Sequence, residues 1–346
     1  MNTVNRKIID AVIAKSEKVC PGSLELIGVY GSAATGDEYA KSDLDLLILI
    51  KDDEGFKLSA CMILDDIGIG YDIYCTRMEW LQGDAECHHA QISRLMDSKI
   101  VYIKNQDAYD ELLKLREQAS AVLQSDKRFE RVDEQIRQAK LYFAEACLSD
   151  KLSRVRMNAA GVIVSLLSAI MLYHGSYFHR GTKRTFDELA QFPLDEQFIA
   201  DMRAVPLSRE ADELRRLMKE MIGYVAGFTA REKTTARPSA GNISGTCEEM
   251  YSNWRNKVEE AADKGDAYSS FMNMCFLQNM IDEIAAGVDI GTVDLMENYD
   301  PDNLRNNVLL FDRFLAGYET LYSKAGIEVN RFANVDEFVR SYTEKE

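Results

Sequence analysis

The chain is short of positive charge: its 346 residues contain 41 Lys and Arg against 57 Asp and Glu, a formal net charge of −16. Proteins that bind nucleic acid need cationic surface against the phosphate backbone. No basic stripe with interleaved aromatic residues occurs here, so the composition argues against nucleic acid as a partner. The same acidity would suit a cationic small substrate.

The sequence also lacks a pattern typical of paired cysteines, since the seven cysteines are odd in number and form no Cys-x-x-Cys motif. Most of them lie in apolar surroundings, which is typical of free buried thiols in a reducing cytoplasm. The run Cys87-His88-His89 could begin a zinc site, but it lacks a second ligand pair at metal spacing. We therefore expect no disulfide framework and no zinc.

No apolar run reaches the ~20 residues that span a bilayer. The most apolar segment, 159–173, contains Ser165 and Ser168 and predicts a buried helix. Residues 1–7 contain no apolar run suited to a signal peptide. We expect a cytoplasmic protein without a membrane partner.

The arrangement of apolar residues changes character along the chain. Short strand-like runs alternate with helical patterns at first, with strands expected over 24–30, 44–50, 71–76 and 99–104 and helices over 4–20, 57–67, 84–97 and 108–123. From residue 131 helical patterns dominate, interrupted by a Thr-, Ser- and Gly-rich linker over 229–245. This pattern predicts an α+β domain over 1–123, with a small mixed sheet and flanking helices. An all-α region follows, made of a helical bundle over 124–230 and a subdomain over 246–346.

Two aspartates separated by one residue are the clearest chemical signal. In an extended strand alternate side chains share a face, so Asp43 and Asp45 would point together while Leu44 points into the core. Paired carboxylates suit Mg²⁺, which binds a few protein oxygens and leaves positions for phosphates. Upstream, Gly31-Ser32 forms a turn of small residues whose backbone can approach phosphate oxygens.

Two further residues extend this motif. Asp72 lies on the next predicted strand and, opposite Tyr71 and Ile73, would face the same cleft as a third metal ligand that helps deprotonate an acceptor hydroxyl. Ser42 either adds a hydroxyl for the nucleotide or orients the turn before Asp43. A single Asp-x-Asp is usually a solvated strand end, but the ordered combination is far more specific.

The combination Tyr30-Gly31-Ser32, spacer loop, Asp43-Leu44-Asp45-Leu46 resembles the nucleotidyltransferase superfamily that includes DNA polymerase beta and the aminoglycoside nucleotidyltransferases. The resemblance implies that Asp43, Asp45 and Asp72 bind two Mg²⁺ ions and that Gly31 and Ser32 hold a nucleoside triphosphate, expected to be ATP. A small domain of this kind before a helical region is similar to the bacterial antibiotic-modifying branch.

A basic patch, residues 177–184, follows the apolar helix in this acidic chain. Its Lys183 and Arg184 could supply cations to the triphosphate. Alternatively, the patch is an exposed loop whose charges are merely solvated.

These observations predict a metal-dependent nucleotidyltransferase that transfers a nucleoside monophosphate to a hydroxyl of a small molecule, such as an aminoglycoside. Two alternatives stay open. One is transfer of AMP to a hydroxyl on another protein, and the other is a nucleotide-binding regulatory protein without turnover. The oligomeric state cannot be inferred from these patterns.

Overall fold

The structure, a computed structural model, describes residues 3–231 and 235–344, so residues 232–234 of the predicted linker and the ends of the first and last predicted domains lie outside the described residues. The chain divides into two compact units, Met1–Ala230 and Arg231–Glu346. The predicted domains 1–123 and 124–230 both fall within the first unit. The protein is a mixed α+β structure, with its sheets in the N-terminal half and helices beyond them.

The first unit begins with a four-stranded sheet of order β5-β2-β1-β6 beside a two-stranded ribbon of β3 and β4. Strand β1 pairs antiparallel with β2 and β6, whereas β2 pairs parallel with β5. The strands are β1 Leu24–Val29, β2 Leu46–Ile50, β3 Ala60–Leu64, β4 Ile69–Ile73, β5 Cys75–Thr76 and β6 Lys99–Ile103. The helices among them are α1 Thr3–Val19, α2 Gly31–Thr35, α3 Gln82–Ala85 and α4 Ser93–Met96.

The predicted strand over 44–50 is shorter than expected, because β2 starts at Leu46. Asp43 and Asp45 therefore precede the strand rather than lie on it. The ladder nevertheless reaches Asp45, whose carbonyl oxygen accepts a hydrogen bond from the Tyr30 backbone N–H at 3.1 Å. The extended geometry that motivated the prediction is retained at Asp45 through this bond.

The helix predicted over 57–67 is wrong, since β3 occupies its centre and forms a hairpin with β4. Along β3 the half-buried Met62 alternates with exposed Cys61 and Ile63. Ile63 is 75% exposed, so an apolar residue on the outer face disguised the two-residue period of a strand. Gly68, with φ of +63°, lies in the turn between the two strands.

The single helix predicted over 84–97 is also wrong, because two short helices, α3 and α4, replace it. Cys87 lies between them with a φ of +54°. A non-glycine residue in this left-handed region does not continue a right-handed helix. The backbone therefore breaks where the side-chain pattern alone indicated continuity.

The remainder of the first unit is helical and shares one core with the sheet. Its helices are α5 Gln106–Gln124, α6 Lys127–Leu148, α7 Leu152–Tyr173, α8 Thr185–Leu189, α9 Glu196–Ala204 and α10 Ala211–Phe228. Leu26 of β1 and Leu49 of β2 belong to the same buried cluster as Leu166 of α7 and Met218 of α10. The sheet and the bundle are thus held together by continuous apolar packing.

Helix α7 is long and apolar enough to cross a membrane by length and composition, but 61% of its most apolar window is buried in the protein. Residues 165–172 of α7 are all buried. This burial confirms the predicted buried helix.

The second unit is an independent helical core. It contains α11 Ala240–Ile243, α12 Thr246–Met250, α13 Asn256–Lys264, α14 Ala267–Gly287, α15 Leu304–Lys324 and α16 Val335–Glu344, with a π-helical segment Tyr251–Arg255 before α13. Tyr322 of α15 is fully buried and donates a hydrogen bond to the Ile243 carbonyl oxygen. The same hydroxyl accepts a hydrogen bond from the Cys247 backbone N–H at 2.9 Å.

Candidate active site

The aspartate pair lies at the end of the β1–β2 ladder. Leu44, between the two, is 3% exposed, whereas Asp43 is exposed and Asp45 half-buried. Both carboxylates therefore lie on the side of the backbone away from the core residue. Within the described residues neither aspartate forms an ion pair with a basic side chain.

Burial raises the pKa of Asp45, and the neighbouring charge of Asp43 raises it further. Both effects disfavour the ionised form of Asp45. A divalent cation bound here would offset the desolvation and the repulsion together. The donor set, two carboxylates with no basic partner among the described residues, fits Mg²⁺.

Gly31 makes close approach to Asp45 possible. It begins α2 with a φ of +63°, a conformation that side chains rarely adopt. A Cβ added there would lie 2.0 Å from Asp45 Oδ2, well inside van der Waals contact. Backbone conformation and space thus both require glycine next to the carboxylate. Ser32, the next residue, accepts hydrogen bonds at its carbonyl oxygen from the backbone of Gly36 and Asp37, which closes the short helix.

Asp72 is placed near the pair but not within a three-carboxylate cluster. It lies on the exposed face of β4, while Tyr71 and Ile73 are buried. Asp72 and Asp43 line one shallow, open cavity of about 610 Å³. In the described part of the chain no three His, Cys, Asp or Glu side chains converge as metal ligands. The expected metal triad is therefore assembled only as the pair Asp43 and Asp45.

Asp72 is associated with Asp43 through this shared cavity, whereas β4 itself pairs with β3 in the separate two-stranded ribbon. In addition, Cys61 Sγ donates to Asp72 Oδ1 at 3.1 Å. This thiol contact was not predicted, because the helix assigned to 57–67 would not have paired Cys61 with Asp72.

Ser42 has a local role in the structure. Its hydroxyl oxygen accepts a hydrogen bond from the Tyr39 backbone N–H at 2.9 Å, and its own N–H donates to the Tyr39 carbonyl oxygen. These bonds orient the turn that leads into Asp43, one of the two roles considered from the sequence. The hydroxyl proton is still available to a ligand.

The basic patch folds back onto the loop that joins Gly31-Ser32 to the aspartate pair. Arg184 Nη2 lies 3.1 Å from Asp37 Oδ1, and Arg180 Nε lies 3.3 Å from Asp37 Oδ2. Lys183 Nζ donates to the Asp37 carbonyl oxygen. Only 11% of the Asp37 side chain is exposed. Lys183 and Arg184 are therefore neither free in solvent nor remote from the Gly31-Ser32 turn.

A second set of bonds fixes this patch. Glu188 accepts the backbone N–H groups of His179 and Arg180 at 2.9 and 2.8 Å. His179 Nδ1 is hydrogen-bonded to Asp97 at 2.9 Å. This bond is the main reason why the pKa of His179 is raised. The sequence did not identify Asp37 or Glu188, because their partners are more than 140 residues away or depend on the loop path.

Replacing Asp37 by asparagine is expected to lower the free energy of unfolding by about 1 kcal/mol, since the two arginines that it pairs with are partly exposed. Thermal melts at low and high salt would measure the loss. Asp187→Asn is the matched control, because its carboxylate is 60% exposed and pairs, within the described part of the chain, with Arg184 alone. Equal melting temperatures for the two variants would contradict this assignment.

A cavity of about 970 Å³ in the first unit opens beside Asp45. Tyr30 and Gly31 line it next to Asp45. Burial, and next the charge of Asp45, raise the pKa of Tyr30, so its hydroxyl keeps its proton near neutral pH. Tyr30, Gly31 and Asp45 thus form one wall of a cavity large enough for a small ligand.

Asp84, His89 and Arg94 form another part of the wall. Arg94 Nε donates to Asp84 Oδ2 at 2.6 Å, and His89 Nε2 lies 3.6 Å from Asp84 Oδ1. Burial lowers the pKa of His89, which keeps the ring neutral at pH 7.

Cys87 is buried with its thiol toward the Ala119 carbonyl oxygen, and His88 contacts Glu86 and Glu134, so the three neighbours do not converge on a common point. Sequence reasoning did not assign Asp84 or Arg94 to the site, since nothing local marks them, and it noted Tyr30 only as the residue that precedes Gly31-Ser32.

No protein-family model matches the chain, and no curated protein matches it in sequence. Its function is therefore inferred from the residues of this site.

Proposed function

We propose that the protein is a metal-dependent nucleotidyltransferase of the DNA polymerase beta-like type, which transfers a nucleoside monophosphate from a triphosphate, expected to be ATP, to a hydroxyl of a small molecule. The proposal rests on the pair Asp43 and Asp45, which has no basic partner among the described residues. Asp45 lies against Gly31, where there is no room for a side chain.

Asp43 and Asp45 would hold the metal. Bound Mg²⁺ supplies charge stabilisation at the α-phosphate and the leaving pyrophosphate. In the reaction an acceptor oxygen forms a bond to the α-phosphorus, the bond to pyrophosphate breaks, and the hydroxyl proton leaves. Asp72, an exposed carboxylate that lines one cavity with Asp43, is the proposed proton acceptor.

The triphosphate would lie between the Gly31-Ser32 turn and the basic patch. Arg180, Lys183 and Arg184 are held beside this loop through Asp37. Their charge would favour the β- and γ-phosphates and the departing pyrophosphate. Preorganised cations of this kind lower the barrier because they need not reorganise during the reaction.

A labelling experiment tests the activity. With Mg²⁺ and a mixture of hydroxyl compounds, ATP labelled at the α-phosphate should transfer label to the small-molecule fraction, and EDTA should abolish the transfer. ATP labelled at the γ-phosphate should release its label only as pyrophosphate, because a kinase would instead transfer that label.

Other outcomes separate the alternatives. Label from the α-phosphate on a protein band would support modification of a protein hydroxyl. Tight calorimetric binding of ATP without pyrophosphate release across a broad acceptor panel would support a nucleotide-binding regulatory protein. Either result would refute transfer to a small molecule.

A further inference from the structure

The charged groups that line the large cavity are mostly cationic. Asp45 and Asp84 are its carboxylates among the described residues. The side chain of Asp84 is only 3% exposed and is already paired with Arg94. Asp45 would be occupied by the metal under the proposed function. No free carboxylate in the described lining is therefore left to bind an ammonium group.

The basic side chains are less well balanced. Arg156 donates to the Ser208 carbonyl oxygen at 3.2 Å, and among the described residues it forms no ion pair with a carboxylate. Arg180 and Arg184 both pair with Asp37, and Arg184 also pairs with Asp187, so Arg180 has only a shared carboxylate. An amino-rich ligand would therefore meet like charges at close range, which costs free energy in a partly buried site.

The remaining wall is apolar. Helix α7 contributes Ile163, Val164 and Leu167, which share one face of the helix, and Met202 and Val205 line the cavity with them. Val164 is 53% exposed although it lies beside this cavity. A ligand with apolar surface would remove that area from water, whereas a polycation would leave it wet.

We infer that the acceptor is a hydroxyl compound with apolar surface and no positive charge, rather than a polycationic aminoglycoside. The inference rests on the proposed function for the role of the cavity. It reverses the suggestion from net charge, because the acidic residues of the chain lie largely outside this cavity or are already paired within it.

Binding calorimetry tests the inference with the donor site filled by Mg²⁺ and the non-hydrolysable α,β-methylene-ATP. The probes are 4-nitrophenyl β-D-glucoside, which is neutral with an aromatic body, and kanamycin, a polycation. The glucoside is expected to bind the wild-type protein more tightly than kanamycin does. Val164→Glu should weaken glucoside binding about 10-fold, since it places a charge in the apolar wall, and should strengthen kanamycin binding.

Met157→Glu is the matched control, since Met157 lies on the same helix, is 69% exposed and does not line the cavity. It should bind both probes as the wild type does. Tighter binding of kanamycin to the wild-type protein would overturn the inference, as would absence of glucoside binding at millimolar concentration. If Val164→Glu weakens only the ATP analogue, the apolar wall holds the nucleobase and the inference is likewise overturned.

Pyrophosphate release from ATP is measured separately and decides the proposed function. Glucoside binding without release of pyrophosphate for any acceptor would refute the transferase but leave the charge preference of the cavity intact. Release of pyrophosphate only with kanamycin would support the transferase but overturn the inferred charge preference of the cavity.

Discussion

Asp45→Asn is expected to abolish nucleotide transfer without weakening the fold. Removing a group that orients a metal ligand costs about 10- to 100-fold, so loss of a ligand itself should reduce kcat/KM by at least about 100-fold. Pyrophosphate release with saturating Mg²⁺ would measure this effect. Asp43→Asn should behave similarly, because the two carboxylates act together.

The stability of this variant distinguishes a catalytic carboxylate from a structural one. In the folded protein the pKa of Asp45 is raised, first by burial and then by Asp43. Above that pKa the ionised form is less favourable in the folded than in the unfolded state, so the group destabilises the fold at neutral pH. As the pH falls through the raised pKa, the group becomes protonated and this penalty disappears. Asparagine removes the penalty at every pH.

Metal-free Asp45→Asn protein should therefore melt at or above the wild-type temperature at pH 7, and the difference should shrink toward pH 4. Asp65→Asn, in the exposed turn between β3 and β4, is the control that should change neither activity nor stability. Full activity of Asp45→Asn would refute the metal assignment. A lowered melting temperature would show that Asp45 instead stabilises the fold.

Gly31→Ala should be the second most damaging substitution, although it adds a single methyl group. Its φ of +63° costs an L-residue about 1–2 kcal/mol. The new Cβ would lie 2.0 Å from Asp45 Oδ2 and 2.8 Å from Asp45 Cγ. Because a contact this short cannot be accommodated, the carboxylate must move. Transfer should fall at least about 100-fold, since misplacement of a reacting group by about 1 Å has effects of this size.

The Gly36→Ala variant distinguishes the effect of backbone strain from the effect of displacing the Asp45 carboxylate. Gly36 also has a positive φ, +77°, but a Cβ there would meet no atom within 4 Å. It should lose a similar stability from backbone strain while its kcat/KM stays close to that of the wild type. Chemical denaturation and steady-state kinetics on both variants provide the comparison. Equal activity losses would show that strain in α2, and not the contact with Asp45, is responsible.

Helices and strands whose apolar residues recur at a regular spacing were predictable from the sequence. Helix α5, expected over 108–123, is observed at Gln106–Gln124, and the apolar segment 159–173 lies within α7, because a continuous apolar stripe over many turns has few other interpretations. Strand β6 was recognised for the corresponding reason, a short apolar run between lysines. The ribbon of β3 and β4 was missed, since Ile63 places an apolar residue on the solvent side.

Within the site, contacts between residues close in sequence were predictable, and contacts between distant residues were not. Gly31 and the pair Asp43 and Asp45 are close in sequence, so alternation and turn chemistry sufficed to place them together. The contact of Arg184 with Asp37 joins residues 147 positions apart. Such a contact depends on how the bundle packs against the sheet. The sequence marked Arg184 only as part of a basic patch, and nothing local marked Asp37.

By itself the sequence determined a small α+β region with a carboxylate pair behind a Gly-Ser turn, followed by helices, because these features depend on near neighbours along the chain. Only the tertiary structure decided that Asp72 faces the cavity of Asp43 rather than completing a cluster, that the basic patch is held by Asp37, and that the cavity beside Asp45 is lined by cations and apolar side chains. Net charge sums over the whole surface, whereas a ligand meets only the groups that folding brings to its cavity.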